Sequence, residues 1–246
     1  MSYLLNIYIY SIVILFSIVT FPFGIIYLVF TRLLFSKRFF LKVLRRLISW
    51  YGLIIIRALI YPFIKVKFID ASGNDKTTPC IFICNHRSAS DPFLLALFPY
   101  EIIQIASDWT FRIPFLGFCA KLAGYISIKN MKFDEYLQKT AKLIQQKVCL
   151  AAFPEGTRSG SSKMGHFHGA IFRVALKLQC PIVPLCITGN ENIPSKKFVF
   201  KCGKIKVKRL PAISHEEYKD MDSFKLKNYV RKVIATEIVH MENENE

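Results

Sequence analysis

Residues 80–92 read Cys80-Ile81-Phe82-Ile83-Cys84-Asn85-His86-Arg87-Ser88-Ala89-Ser90-Asp91-Pro92, an apolar run that breaks abruptly into a polar loop. The short apolar run predicts a buried strand, and Phe93-Leu94-Leu95-Ala96-Leu97-Phe98 beyond the loop predicts a helix. Asp91 stands where an N-cap belongs and Pro92 where a first helical residue belongs, so the unit is strand, tight loop, helix. In open α/β sheets, ligands bind at loops outside the carboxyl ends of strands. There an imidazole five residues before a carboxylate can fold back on it. One ring nitrogen then donates to Asp91 and the other is free to take a proton from a hydroxyl.

A second apolar run, Val148-Cys149-Leu150-Ala151-Ala152, leads into Phe153-Pro154-Glu155-Gly156-Thr157-Arg158-Ser159. Together the two segments resemble the glycerolipid acyltransferases of the 1-acylglycerol-3-phosphate type. The marks of that family are N-H-x4-D and, about sixty to seventy residues on, F-P-E-G-T-R-S. Gly124-Tyr125-Ile126-Ser127-Ile128 and Pro181-Ile182-Val183-Pro184 fall where its second and fourth motifs do, and the resemblance covers residues 65–215. It implies an α/β fold, a mixed sheet flanked by helices, and an acyltransferase activity.

The resemblance implies that His86 is the general base and Asp91 its orienter. The acceptor hydroxyl would attack the thioester of acyl-CoA or acyl carrier protein directly, with no serine or cysteine nucleophile and no metal or other cofactor. The second segment would hold the acceptor's phosphate. Gly156 lets backbone amides approach an anion, Thr157 offers a hydroxyl and Arg158 can take a phosphate bidentately. Glu155 is grouped with this substrate-binding set, although a carboxylate beside an anion site is better suited to holding Arg158 or a backbone amide.

Three departures from the family pattern bear on the acceptor. Asn130 follows Lys129 where an arginine is usual, Ala106-Ser107-Asp108-Trp109 replaces a lysine-containing block, and His166-Phe167-His168-Gly169-Ala170 displaces another lysine. An uncompensated loss of a phosphate contact costs on the order of 1–3 kcal/mol. Either Lys129, Arg112 and Lys163 substitute and the acceptor is lysophosphatidic acid, or the acceptor is less charged, a lysophospholipid diester or an aminoacyl lipid.

Composition adds a membrane. The 246 residues are 52% hydrophobic with a formal charge of +17. Residues 4–30 contain no charged side chain and predict a membrane-spanning helix, with tilt or a bend at Pro22. Arg32, Lys37, Arg38, Lys42, Arg45 and Arg46 follow without an acidic neighbour. The positive-inside rule makes that flank cytoplasmic and puts the N-terminus outside. Interleaved with Phe39, Phe40, Leu41 and Leu44, these cations suit a helix lying on anionic lipid, and residues 47–64 read as a further interfacial helix. The seven cysteines lie mostly in apolar runs with no C-x2-C pair, which favours buried thiols in a cytosolic domain.

From residue 65 short apolar runs alternate with helix-length stretches, the pattern of an α/β domain. Strands are expected at 65–69, 102–106, 125–128, 182–187 and 204–208, and helices at 114–123, 134–147 and 169–178. Residues 73–76 read as a turn. The expected organisation is a transmembrane helix at 1–31, basic interfacial helices at 32–64, a catalytic domain at 65–215, and a C-terminal amphipathic helix with a polar tail at 216–246. The partners expected are membrane lipids, a lysolipid acceptor and the acyl thioester. A catalytically silent lipid-binding protein is the rival reading. Nucleic acid is disfavoured, because no basic stripe interleaved with aromatics runs through the α/β part.

Overall fold

A computed structural model describes residues 2–73, 77–113, 116–129 and 131–243. Most of the turn expected at 73–76, the expected helix start at Pro114, the Asn130 position and the end of the tail therefore lie outside the described residues. Two helices come first, α1 (Ser2–Leu34) and α2 (Lys37–Ile54). Ser36 separates them and caps α2, its hydroxyl accepting from Phe39 N. The chain leaves α2 through a π-helical turn, Ile55–Leu59.

The α/β part follows as β1 (Ile64–Asp70), β2 (Ile81–Cys84), α3 (Asp91–Leu94), β3 (Ile102–Ala106), α4 (Leu116–Ala123), β4 (Ile126–Ser127) and α5 (Phe133–Gln145). It continues through β5 (Cys149–Ala152), α6 (Ala170–Leu178), β6 (Ile182–Thr188), β7 (Gly203–Arg209), α7 (His215–Tyr218) and α8 (Ser223–Asn243). Among the described residues seven strands make one sheet in the order β1-β7-β6-β2-β5-β3-β4. All neighbours are parallel except β6 and β7, so the sheet is mixed, as expected.

The central strands β5, β2 and β6 are buried on both faces, hence their unbroken apolar sequences. Ile81 and Ile83 face the layer of α5, α6 and α8; Phe82 and Cys84 face α3 and the end of the N-terminal pair. In α8 the row Leu226, Val230, Ile234, Ile238 and Met241, at helical spacing, is buried against the first of these layers. Each such side chain contributes about 1.5–3 kcal/mol. The expected C-terminal amphipathic helix thus packs its apolar row into the core. All seven cysteines are free and five of them are buried.

The start of α1 is tied to the α/β body. Asn6 exchanges two hydrogen bonds with the backbone of Phe200, at 3.0 and 2.7 Å, and Tyr10 Oη donates to Phe198 O at 2.5 Å. Leu5 and Ile9 join the core beneath the sheet. Further along α1, Ser17 Oγ and Tyr51 Oη are 2.7 Å apart, and Leu28 packs on Phe40, Leu44 and Ala123. A helix of 33 residues is about 50 Å long; the start of this one is held by the 198–200 loop, and it packs mainly on α2. Its outer face leaves Ile18 65%, Phe23 71% and Ile26 67% exposed, a surface that water does not suit. Tyr3–Leu34 is long and apolar enough to cross a membrane.

The basic run also differs from expectation. Arg38 and Arg45, seven residues apart on one side of α2, turn inward onto Glu101. Arg45 Nη1 lies 2.6 Å from the carboxylate and its Nε donates to Ala123 O at 2.8 Å. Burial opposes ionisation of Glu101, but the two guanidiniums overcome it and hold its carboxyl below the ordinary value. Arg32, Lys37, Lys42 and Arg46 remain exposed.

Candidate active site

Three loops leave the carboxyl ends of the adjacent strands β5, β2 and β6, and each brings one part of the site. From β2 comes His86, whose Nδ1 lies 2.7 Å from Asp91 Oδ2. A carboxylate can only accept, so Nδ1 donates in this bond, and in the neutral ring Nε2 is then the nitrogen with the free lone pair. His86 lines a cleft of about 1050 Å³.

Asp91 is not an N-cap. It lies inside α3, the cap position is Ser90, and the carboxylate folds back into its own loop. Oδ2 also accepts from Arg87 N at 2.7 Å and Ser88 N at 2.9 Å, and Oδ1 accepts from Asn190 Nδ2. Four donors compensate for the complete burial of this carboxylate and fix its direction. Asn190 arrives from the β6 loop. It is placed by Gly189, which has φ +82° and where a Cβ would stand 2.2 Å from Lys204 O. Asn85 closes the same junction, its amide exchanging two hydrogen bonds with the Ile187 backbone.

The β5 loop carries the second segment. The Glu155 oxygens are taken by two backbone amides, His86 N and Gly165 N, each at 2.7 Å. This is the holding role that suits a carboxylate beside an anion site: Glu155 fastens one motif loop to the other. Burial pushes its carboxyl up from the ordinary value, against the pull of those amides. Ser159 N and Gly160 N donate to the carbonyls of His86 and Arg87, and Phe153 packs against the His86 ring at 4.6 Å.

Arg158 reaches into the cleft with its guanidinium 4.9 Å from the Phe198 ring and 5.9 Å from the Trp109 ring. Its Nη1 is buried and has no hydrogen-bond partner among the described residues. An orphaned, positively charged donor in a cleft is a place prepared for an anion. Gly156, at φ +73° with the His168 ring 3.2 Å from where a Cβ would be, keeps the loop close and lines the same cleft. Lys129 lies on the rim, 3.9 Å from Asp108. Thr157 and Lys163 are exposed and do not line the cleft, so the structure does not bring them to this site.

Sequence reasoning missed Phe153, Asn190 and the role of Arg87. The Arg87 guanidinium is buried and binds Glu191, Glu242 at 2.7 Å and Ser162 O at 3.1 Å, tying the β2 loop to α8. Its place between His86 and Ser88 was the available signal. The cleft runs from His86 past Phe93 and Gln104 to Phe21, Leu44 and Ile48 of the helical pair, and is mostly apolar.

An imidazole oriented by a buried carboxylate and a guanidinium with one unpartnered nitrogen thus line the same mostly apolar cleft. The Acyltransferase family model matches residues 65–188, half of the sequence, and the chain belongs to that family. Similar proteins include the chloroplastic 1-acyl-sn-glycerol-3-phosphate acyltransferase of Brassica napus, 29% identical over 54% of this chain and 40% of its own length. The enzyme of that name from Limnanthes alba is 27% identical over 73% of each chain. The one from Saccharomyces cerevisiae is 34% identical over 56% of this chain and 48% of its own. With the first of these relatives, therefore, the match spans about two fifths of the relative's length. The crystal structure of the lysophosphatidic acid acyltransferase from Thermotoga maritima has the same fold, with a TM-score of 0.79 at 22% identity over 98% of this chain and 96% of that one.

Proposed function

We propose that the protein moves a fatty acyl group from a thioester to the free hydroxyl of lysophosphatidic acid, giving phosphatidic acid, at a membrane surface. The observation that carries this is the unpaired Arg158 Nη1 in the cleft that His86 lines. Nε2 of His86 removes the acceptor's proton as the oxygen attacks the thioester carbonyl, and Asp91 steadies the imidazolium. Collapse of the tetrahedral intermediate breaks the carbon–sulfur bond, and the proton passes from His86 to the departing thiolate. Arg158 anchors the acceptor phosphate, with Lys129 on the rim. The apolar cleft beneath α1 and α2 takes acyl chain straight from the bilayer.

Purified full-length protein, given labelled acyl-CoA or acyl carrier protein, is expected to acylate lysophosphatidic acid in preference to lysophosphatidylcholine, lysophosphatidylglycerol and an aminoacyl lysolipid. Transfer to a diester or an aminoacyl lipid with lysophosphatidic acid inert would overturn the acceptor assignment. Absence of transfer with every donor and acceptor would favour a silent lipid-binding protein.

The same reading places His86 on the cytoplasmic side, where acyl thioesters are found, and keeps both ends of α1 on that side. With Cys202 and Cys119 changed to serine, cysteines introduced at Ser2 and Lys163 are both expected to resist a membrane-impermeant maleimide in intact cells and to react after permeabilisation. Labelling of the Ser2 position alone in intact cells would show that α1 crosses the bilayer and that its contacts with residues 198–200 are not made there.

A further inference from the structure

A second cavity, about 630 Å³, lies at the open edge of the sheet beyond β4, between α4 and α5. Cations from four elements line it: Arg45 of α2 (paired with Glu101), Arg112 after β3, Lys121 of α4, and Lys139 and Lys142 of α5. Lys139 is paired with Glu135 at 2.8 Å, whereas Arg112, Lys121 and Lys142 have no ion-pair partner among the described residues. Exposed lysines on a convex surface are ordinary. Arg112, Lys121 and Lys142 are themselves exposed, but they line one hollow from three elements, with Phe111 and Tyr125 in its wall.

This cavity adjoins the active-site cleft. Asp108, Tyr125 and Ser127 line both. Helix α4 divides them, Lys121 facing the cationic cavity while Leu116, Phe118 and Leu122 line the apolar cleft. A ligand shared between the two has an anionic, aromatic head and an acyl chain.

We propose that the cationic cavity binds the 3′-phosphorylated adenosine diphosphate of an acyl-CoA donor. The proposal rests on the acyl-transfer reading above. Unpaired cations on three elements suit several phosphates, where the Arg158 fork suits one. The aromatic wall offers a face for the base, which a glycerophosphate headgroup would not use. The donor's arm would then cross the Asp108–Ser127 boundary toward His86, leaving Arg158 to the acceptor.

The test compares the full-length wild type with the double variant Lys121→Glu/Lys142→Glu in detergent micelles. The variant is expected to raise KM for palmitoyl-CoA at least tenfold with KM for lysophosphatidic acid within twofold. Preference for palmitoyl-CoA over palmitoyl-pantetheine, a thioester without the nucleotide, should shrink by the same factor. Calorimetric binding of adenosine 3′,5′-bisphosphate should be seen with the wild type and lost in the variant, a readout that needs no turnover. An unchanged KM for palmitoyl-CoA in an active variant overturns this site and leaves the acyl-transfer reading standing. A parallel rise in KM for lysophosphatidic acid, or lost binding to phosphatidylglycerol vesicles with nucleotide binding intact, overturns it in favour of a lipid headgroup. A wild type that binds the nucleotide but transfers from no donor refutes the acyl-transfer reading instead.

Discussion

His86→Ala should lower kcat/KM for acyl transfer by about a hundred- to ten-thousandfold, the range that a positioned general base supplies. The loss should fall on kcat, because His86 acts on the reacting hydroxyl and binds no distant part of either substrate. The fold should survive. His86 uses its side chain for one hydrogen bond, and Asp91 keeps its other three donors when that bond goes. Asp91→Asn should behave differently. Its oxygens face only donors, so an amide nitrogen there sets N–H either against His86 Nδ1, Arg87 N and Ser88 N at the Oδ2 position or against Asn190 Nδ2 at the Oδ1 position. Activity should fall by a similar factor and the melting temperature should drop as well, since a misdirected buried donor costs about 1–3 kcal/mol. Thermal melts beside single-turnover rates separate the two variants. Near-normal turnover by well-folded His86→Ala protein would falsify the base assignment.

What could be read in the sequence was local. Residues 80–92 announce strand, loop and helix because a strand buried on both faces must be apolar throughout and its loop must be polar. The His86–Asp91 bond spans five residues and follows from that loop. What supports it is distant: Asn190 lies 99 residues from Asp91, and Glu155 lies 69 residues from the amide it holds. Neither distance leaves a periodic trace. The reversed β7, inserted between β1 and β6, is equally silent, because alternation in Lys204-Ile205-Lys206-Val207-Lys208 states that a strand is half exposed and nothing about its neighbours.

The N-terminal segment shows the limit from the other side. Its hydropathy correctly marks a helix suited to lipid, but hydropathy averages away Asn6 and Tyr10, whose hydrogen bonds decide where the helix lies. In the basic run, likewise, a charge count cannot distinguish Arg45, buried on Glu101, from Arg46, exposed beside it.

Arg158→Ala should raise KM for lysophosphatidic acid about ten- to a hundredfold, the effect of losing charge-assisted hydrogen bonds worth about 1.5–3 kcal/mol. KM for the acyl donor should stay within twofold, because the proposed mechanism gives this guanidinium to the acceptor's phosphate alone. The fold should tolerate the change: Nη1 has no partner to leave behind, and the lost contacts are those with the Phe198 and Trp109 rings. Those rings also explain why Arg158→Lys should recover only part of the loss. An ammonium keeps the charge but neither presents a fork to two phosphate oxygens nor lies flat against an aromatic face. Tyr10 binds the Phe198 carbonyl, so α1 holds the loop that holds Arg158. Tyr10→Phe should therefore raise acceptor KM by a smaller factor in the same direction, with donor KM unmoved. Lys163→Ala, an exposed change away from the cleft, should leave acceptor KM alone. Equal rises in acceptor and donor KM on Arg158→Ala would mean that this cation orders the whole cleft, and the acceptor's phosphate would need another partner.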